Sequence, residues 1–214
     1  ETSRSLLGLH SDTYMPKVTV VVPNYNHSAY LRRRLDSIYG QTYTNMEVVI
    51  LDDCSTDDST ILIDEYRKKY PGLTRVIVNE KNSGSVFRQW ARGIKEATGD
   101  LVWIAESDDY CDAHLLQKLV ECFTDESVML AYGISMFVGR DEAPLDISFL
   151  SYLEDLGLGD KWRHSYVATA HEEVRSALGI KNSIPNASSA VFRRPPDMPL
   201  LDDEAWLSMR VAGD

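Results

Sequence analysis

Between Lys17 and Phe123 the chain repeats one order: a short apolar or β-branched run, a polar turn, then a helical period. KVTVVV leads into PNYNHS and AYLRRRLDSIYGQ, where Leu31, Leu35 and Ile38 recur at helical spacing. MEVVIL precedes DDCSTDDS and a helix to Tyr70; TRVIVN precedes EKNSGS and a helix to Ala97; LVWIA precedes ESDDYCD and a helix to Phe123. Strands that are apolar on both faces and alternate with helices predict a Rossmann-like, mostly parallel central sheet flanked by helices. Ser28, Asp57 or Asp58, and Asp112 stand where helix caps are expected.

After VMLAYGISMFVG the rhythm breaks. Residues 140–187 read as polar loop with short helices near 147–155 and 169–178, SSAVFRR as a strand and DDEAWLSMRVA as a helix. Residues 1–16 read as a leader or linker, and 17–214 as one domain with a regular half (17–112) and a less regular half (113–214). The chain starts at Glu1 and is expected to be a piece of something longer.

A formal charge of −11 argues against a surface built to hold nucleic acid, which needs Lys and Arg to neutralise phosphates. Cys54, Cys111 and Cys122 have neither CxxC spacing nor the even count of a disulfide framework, so a reducing, cytoplasmic setting is expected. No run of 18 apolar residues and no signal-peptide pattern is present, so any membrane association is expected to come from regions outside this chain.

In open parallel sheets, ligands bind at the carboxyl ends of the strands. Three of the polar turns, PNYN, DDCSTDD and ESDDY, would meet on that rim. Glu106, Asp108 and Asp109 fall within four positions there, with Asp52 and Asp53 as neighbours. Like charges about 4 Å apart repel by about 1 kcal/mol in water and several-fold more inside a protein. A Mg²⁺ or Mn²⁺ ion bridging Asp108 to a diphosphate would offset that repulsion. The alternative is that Asp109 or Asp112 caps the next helix while the other acids face water. No GxxxxGK[ST] or GxGxxG motif competes, and HEEVR at 171–175 has Arg where a second zinc ligand would stand. His27 and His114 read as ordinary loop and helix-start residues.

KVTVVVPNYNHSAYLRRRLDSIYGQTYTNMEVVILDDCSTDDS, followed in order by NSGS, GIKEATGDLVWIAESDDYCD, NASSAVFRR and DDEAWLSMRVAGD, resembles family 2 glycosyltransferases over residues 17–214. These are inverting enzymes of the A-type glycosyltransferase fold. The resemblance implies a nucleotide-sugar-binding half at 17–112 and an acceptor-side half at 113–214. It sets the donor's base and ribose against Pro23, Asn24, Tyr25, Asn26 and Asp53, with Asp52 nearby, Asn82 and Gly84 in an Asn-x-Gly loop, and Arg88 toward the diphosphate. ESDD is similar to the family's Asp-x-Asp metal motif with Glu106 in place of the first Asp; Asp108 and Asp109 are then the metal candidates. The base is implied to be Glu204, at the usual spacing from Arg210, with Asp203 as rival; an acidic first helical turn favoured by the macrodipole is the structural alternative.

The implied reaction moves a sugar from a nucleotide-diphosphate donor, with UDP as the expected nucleotide, to a hydroxyl of a glycan or lipid-linked acceptor. Bacterial cell-surface polysaccharide synthesis, at the cytoplasmic face of the membrane, is the implied setting. Ser188, Ser189, Arg193 and Arg194 are the acceptor-side candidates. A noncatalytic nucleotide-sugar-binding module of a larger assembly protein is the alternative, and a phosphoacceptor receiver domain a third reading, disfavoured because the acids follow the second and fourth strands.

Overall fold

A computed structural model describes residues 15–139 and 143–209; expectations for the leader before residue 15, for 140–142 and for Arg210 lie outside the described residues. The strands are β1 (Val18–Asn24), β2 (Met46–Asp52), β3 (Thr74–Val78), β4 (Leu101–Ile104), β5 (Leu130–Tyr132) and β6 (Ala190–Arg193). They form one six-stranded sheet in the order β3-β2-β1-β4-β6-β5. β1 to β4 are parallel, as expected. β6 lies antiparallel to β4, and β5 antiparallel to β6.

Four helices follow the parallel strands: α1 (Ser28–Tyr39), α2 (Ser59–Lys69), α3 (Val86–Glu96) and α4 (Leu115–Glu121). The period-two alternation of β1 divides the core. Val18, Val20 and Val22 pack with Leu31, Leu35 and Ile38 of α1, Ile63 of α2 and Leu116 of α4. Val21 faces the other way, onto Ala91 and Ile94 of α3 and onto Leu201 and Leu207. Each of these side chains, fully buried, contributes roughly 1.5–3 kcal/mol if large and apolar. α3 comes so close to β1 that a Cβ at Gly93 would stand 2.2 Å from Val21 Cγ1, which explains a glycine inside this helix.

The second half is irregular, as the break in the strand–helix rhythm suggested. The short helices are α5 (Phe149–Leu153), running on as a 3-10 turn, and α6 (Ala170–Glu173), running on as a π turn. Capping boxes at Ser148 with Ser151 and at Thr169 with Glu172 start them. Within VMLAYGISMFVG, Leu130–Tyr132 forms β5, and Met129, Ile134, Met136 and Phe137 are exposed. DDEAWLSMRVA delivers α7 (Glu204–Leu207) among the described residues.

The caps differ in detail from expectation. Asp57 serves two helix starts at once, accepting from the Ser28 N–H at 2.8 Å and the Ser59 N–H at 3.0 Å. Asp112 accepts from the His114 N–H at 2.8 Å, just ahead of α4.

At the opposite end of the sheet, Glu47 accepts from Lys17 Nζ, Thr19 Oγ1, and both the N–H and Oγ1 of Thr98. Burial raises the Glu47 carboxyl, but these hydrogen bonds outweigh it and hold it at about 2, against an ordinary 4.5. For Asp57 burial likewise raises it, and bonds from Ser59 and Ser28 bring it from 3.8 to about 2. A depressed carboxyl adds stability above its unfolded-state pKa, and that stability disappears as pH falls through the folded value. The unfolding free energy is therefore expected to fall between pH 4.5 and about 2, and Glu47→Gln to flatten part of that fall in urea titrations across the range.

Candidate functional site

The β1–β2 register sets Asn24 opposite Asp52, so the turns after both strands begin side by side. Asp52 is fully buried and accepts from Asn24 Nδ2 (2.8 Å), the Ser55 N–H (2.8 Å) and Ser55 Oγ (2.7 Å). It therefore braces the turns from beneath. Asn26 and Cys54 take positive φ, 54° and 64°. Asn26 Oδ1 accepts from the Thr56 N–H at 2.7 Å, which locks the two turns together. Pro23 is buried at the end of β1, and Tyr25 projects from this braced platform, 45% exposed.

Asp53 performs the same task for the loop after β3. It accepts from Asn79 Nδ2 (2.6 Å), the Ser83 N–H (2.9 Å), Ser83 Oγ (2.7 Å) and Gln89 Nε2 (2.9 Å). Asn82 Nδ2 donates to the Asp53 carbonyl at 3.2 Å, and Asn82 Oδ1 accepts from Gly84, whose φ of 71° suits glycine. Buried carboxylates satisfied by several donors hold loops in one geometry, and truncating one strands the donors.

β4 ends at Ile104, and the loop beyond it carries Glu106, Asp108 and Asp109, each offering an oxygen within 4.8 Å of the others. The loop is fixed from three directions. Ser188 Oγ accepts from the Glu106 N–H at 3.0 Å while the Ser188 carbonyl accepts from Trp103 Nε1 at 2.8 Å. Asn186 Nδ2 donates to Asp109 Oδ2 at 3.3 Å, and His27 Nδ1 meets Ser107 Oγ at 2.7 Å. Hard oxygen donors at this mutual spacing are a set that could hold a metal ion.

Arg34 of α1 is fully buried, its guanidinium carbon 5.1 Å from the Trp103 ring centroid. Burial pushes the guanidinium pKa down, and Cys111, Asp109, Glu106 and Asp108 oppose that shift. A guanidinium stays charged in proteins. It is thus an internal countercharge for the acidic loop. The run LRRRLD concealed it, yet position 34 belongs to the 31, 34, 35, 38 stripe that the helical period buries.

α7 packs on α3. Phe87 and Trp206 ring centroids lie 5.2 Å apart, and Lys95 pairs with Asp202 at 2.5 Å. Asp203 is the cap of α7, its Oδ1 accepting from the N–H groups of Ala205 (2.8 Å) and Trp206 (3.1 Å). Glu204 instead pairs with Arg88 in the first turn of α3, at 2.7 and 3.3 Å through two parallel bonds. The bond and charge from Arg88 lower the Glu204 carboxyl pKa.

The remaining sequence candidates separate. Ser188 and Ser189 are buried; Ser189 Oγ donates to the Asn186 carbonyl at 2.8 Å, so both stabilise the segment behind the acids. Arg193 pairs in register with Leu101 at the start of β4, away from the acidic loop, and donates to the Val128 and Phe123 carbonyls. Arg194 donates to the Gly99 carbonyl at 2.8 Å, also at that far end.

A mixed sheet with such loops gathered at the carboxyl ends of its parallel strands has the A-type glycosyltransferase fold, and solved structures of that class match it. TarS 1–349 of Staphylococcus aureus in complex with UDP gives a TM-score of 0.62 at 23% identity, covering 88% of this chain and 49% of that one. The mannosyltransferase PcManGT from Pyrobaculum calidifontis, in complex with GDP-Man and Mn²⁺, gives 0.52 at 28% identity, covering 61% and 38%. The sequence profile of glycosyl transferase family 2 matches residues 19–196, and the chain belongs to that family.

An uncharacterized glycosyltransferase of Nostoc sp. is 33% identical over 128 residues, which are 59% of this chain and 39% of the relative. S. aureus TarS, a poly(ribitol-phosphate) β-N-acetylglucosaminyltransferase, is 37% identical over 114 residues, 52% of this chain and 19% of TarS. The chain spans well under two thirds of the length of either. Among the described residues no helix is long and apolar enough to cross a membrane.

Proposed function

We propose that the chain transfers a sugar, with inversion, from a nucleoside-diphosphate donor to a hydroxyl of a glycan or lipid-linked acceptor. The observation that carries this reading is the convergence of the braced Asn24–Asn26 turn, the Asp53-anchored Asn82–Gly84 loop and the acids after β4 on one rim. Glu204 pairs with Arg88 in the first turn of α3, the helix that follows the Asn82–Gly84 loop, and lies on a helix that Asp203 caps. TarS in complex with UDP and PcManGT in complex with GDP-Man support a nucleotide-sugar donor, and TarS's poly(ribitol phosphate) substrate supports a bacterial cell-surface polymer as acceptor. The free thiols Cys54, Cys111 and Cys122 support work in a reducing compartment.

In the proposed step Tyr25 gives the nucleobase an aromatic surface. Asp108 and Asp109, with Glu106, would hold Mn²⁺ or Mg²⁺, which when bound supplies Lewis-acid neutralisation of the departing diphosphate. The Glu204 carboxylate accepts the proton of the acceptor hydroxyl as that oxygen bonds to the anomeric carbon. The bond from that carbon to the phosphate oxygen breaks on the opposite side, and its electron pair leaves with the nucleoside diphosphate.

Thermal unfolding with UDP, dTDP, GDP and CMP, each with and without Mn²⁺ or Mg²⁺, tests the donor side, followed by release of the nucleotide in the presence of candidate acceptors. Nucleotide-dependent stabilisation with no release under any acceptor would favour the noncatalytic module instead. Arg34→Met is expected to tighten binding of Mn²⁺ alone several-fold, because a fixed positive charge then no longer opposes the ion. Unchanged or weaker binding in a calorimetric titration would show that this guanidinium does not act on the acids.

A further inference from the structure

The pairing of Glu204 with Arg88 places the proposed base and the one cation of the first α3 turn on each other. Arg88 stands in the first turn of α3, three residues past Ser85 and on the helix that the Asp53-anchored loop leads into. We propose that Arg88 is shared: without donor it holds Glu204, and the donor's diphosphate takes it over, releasing Glu204 as the base only once a donor is seated. The proposal rests on the reading of this site as a sugar transferase.

Two observations and one chemical argument carry it. The pair is exposed, with side-chain accessibilities of 38% for Arg88 and 74% for Glu204, and exposed pairs are worth about 0–1 kcal/mol. A diphosphate offers more charge and more acceptor oxygens to a guanidinium fork than one carboxylate does, so exchange is favoured once the donor binds. α7 does not depend on the pair for its position. Trp206 against Phe87, Asp202 with Lys95, buried Leu201 and Leu207, and the Ser85 Oγ bond to the Met209 carbonyl hold it on α3. Releasing Glu204 therefore frees a side chain while the helix stays.

Asp203 cannot substitute for Glu204 in this exchange, because its carboxylate caps α7. The ion pair also explains how a base can sit exposed before the donor arrives. Its carboxylate is engaged, with its pKa lowered by Arg88, and is the weaker proton acceptor for it. Donor binding removes that influence at the moment the base is needed.

A double-mutant cycle on binding of UDP and of GDP, each with Mn²⁺, tests the exchange without requiring turnover. Arg88→Ala is expected to weaken binding. Glu204→Gln is expected to tighten it by about two- to five-fold, the worth of an exposed pair, since the guanidinium is no longer held back. In the Arg88→Ala background, Glu204→Gln is expected to change nothing. Tightening that persists there would mean only that a negative charge was removed near the phosphates, and no tightening in either background would mean that Arg88 is not shared; both outcomes overturn the proposal. If Glu204→Gln unfolds the chain, Glu204→Ala takes its place in the cycle. Wild-type chain that is folded and binds neither nucleotide removes the donor reading itself, a failure distinct from the two above.

Discussion

Glu204→Gln is expected to lower sugar transfer by about 10²–10⁴-fold, the usual worth of general-base assistance, while the chain stays folded and still binds nucleoside diphosphate. The amide matches the carboxylate in shape and cannot take the acceptor's proton. α7 survives the change, since its cap is Asp203 and its packing comes from Trp206 and Leu207. Asp203→Asn is the matched control, because Asn caps helices as well as Asp does. It is expected to keep both fold and activity. Loss of transfer in Asp203→Asn with activity kept in Glu204→Gln would move the base by one residue; activity kept in both would remove α7 from the chemistry. Product formation and circular dichroism on the two variants decide it.

Asp108→Asn is expected to abolish the metal-dependent part of nucleotide binding. A ligand at 100 times its dissociation constant stabilises a folded chain by about 2.7 kcal/mol. In a domain of this size about 1 kcal/mol moves the melting temperature by roughly 2–4 °C, so roughly 5–10 °C of Mn²⁺-dependent stabilisation is at stake. Asn keeps the size of the side chain and removes the charge from the most exposed of the three acids. Little cost to the metal-free fold is expected, because relieving repulsion with Glu106 and Asp109 offsets what is lost. A full Mn²⁺-dependent shift in Asp108→Asn would place the ion elsewhere.

β1, β2 and β4 and the helices after them were legible because burial on both faces leaves a continuous apolar run that few other contexts tolerate; β3, at the sheet edge and only half-buried, was legible from its β-branched run. The rim was legible for a related reason: polar turn residues directly after such runs have nowhere to go but the strand ends. The direction of β6 was not. AVFR is too short for its pattern to distinguish parallel from antiparallel pairing, and its partner β4 is nearly 90 residues earlier. Arg193 and Arg194 were acceptor-side candidates by their place in NASSAVFRR. Their position follows from that antiparallel register, which brings them to the start of β4.

The acids show the limit most clearly. Asp52, Asp53, Glu106, Asp108 and Asp109 look alike in sequence, five carboxylates on two turns. In the fold Asp52 and Asp53 are consumed by donors from Asn24, Ser55, Asn79, Ser83 and Gln89, whereas the three after β4 face one another. Arg34 was equally ambiguous within a run of arginines. By itself the sequence determined the alternation of strands and helices, the rim on which polar groups gather, and the family, because these depend on local period and on motifs in order. Only the tertiary structure decided which carboxylates brace loops, which arginine is buried and answers the charge of the acids, and that Arg88 holds Glu204. Hydrogen bonds and charges act across space at about 3–10 Å, and the partners they select lie up to 124 residues apart along the chain.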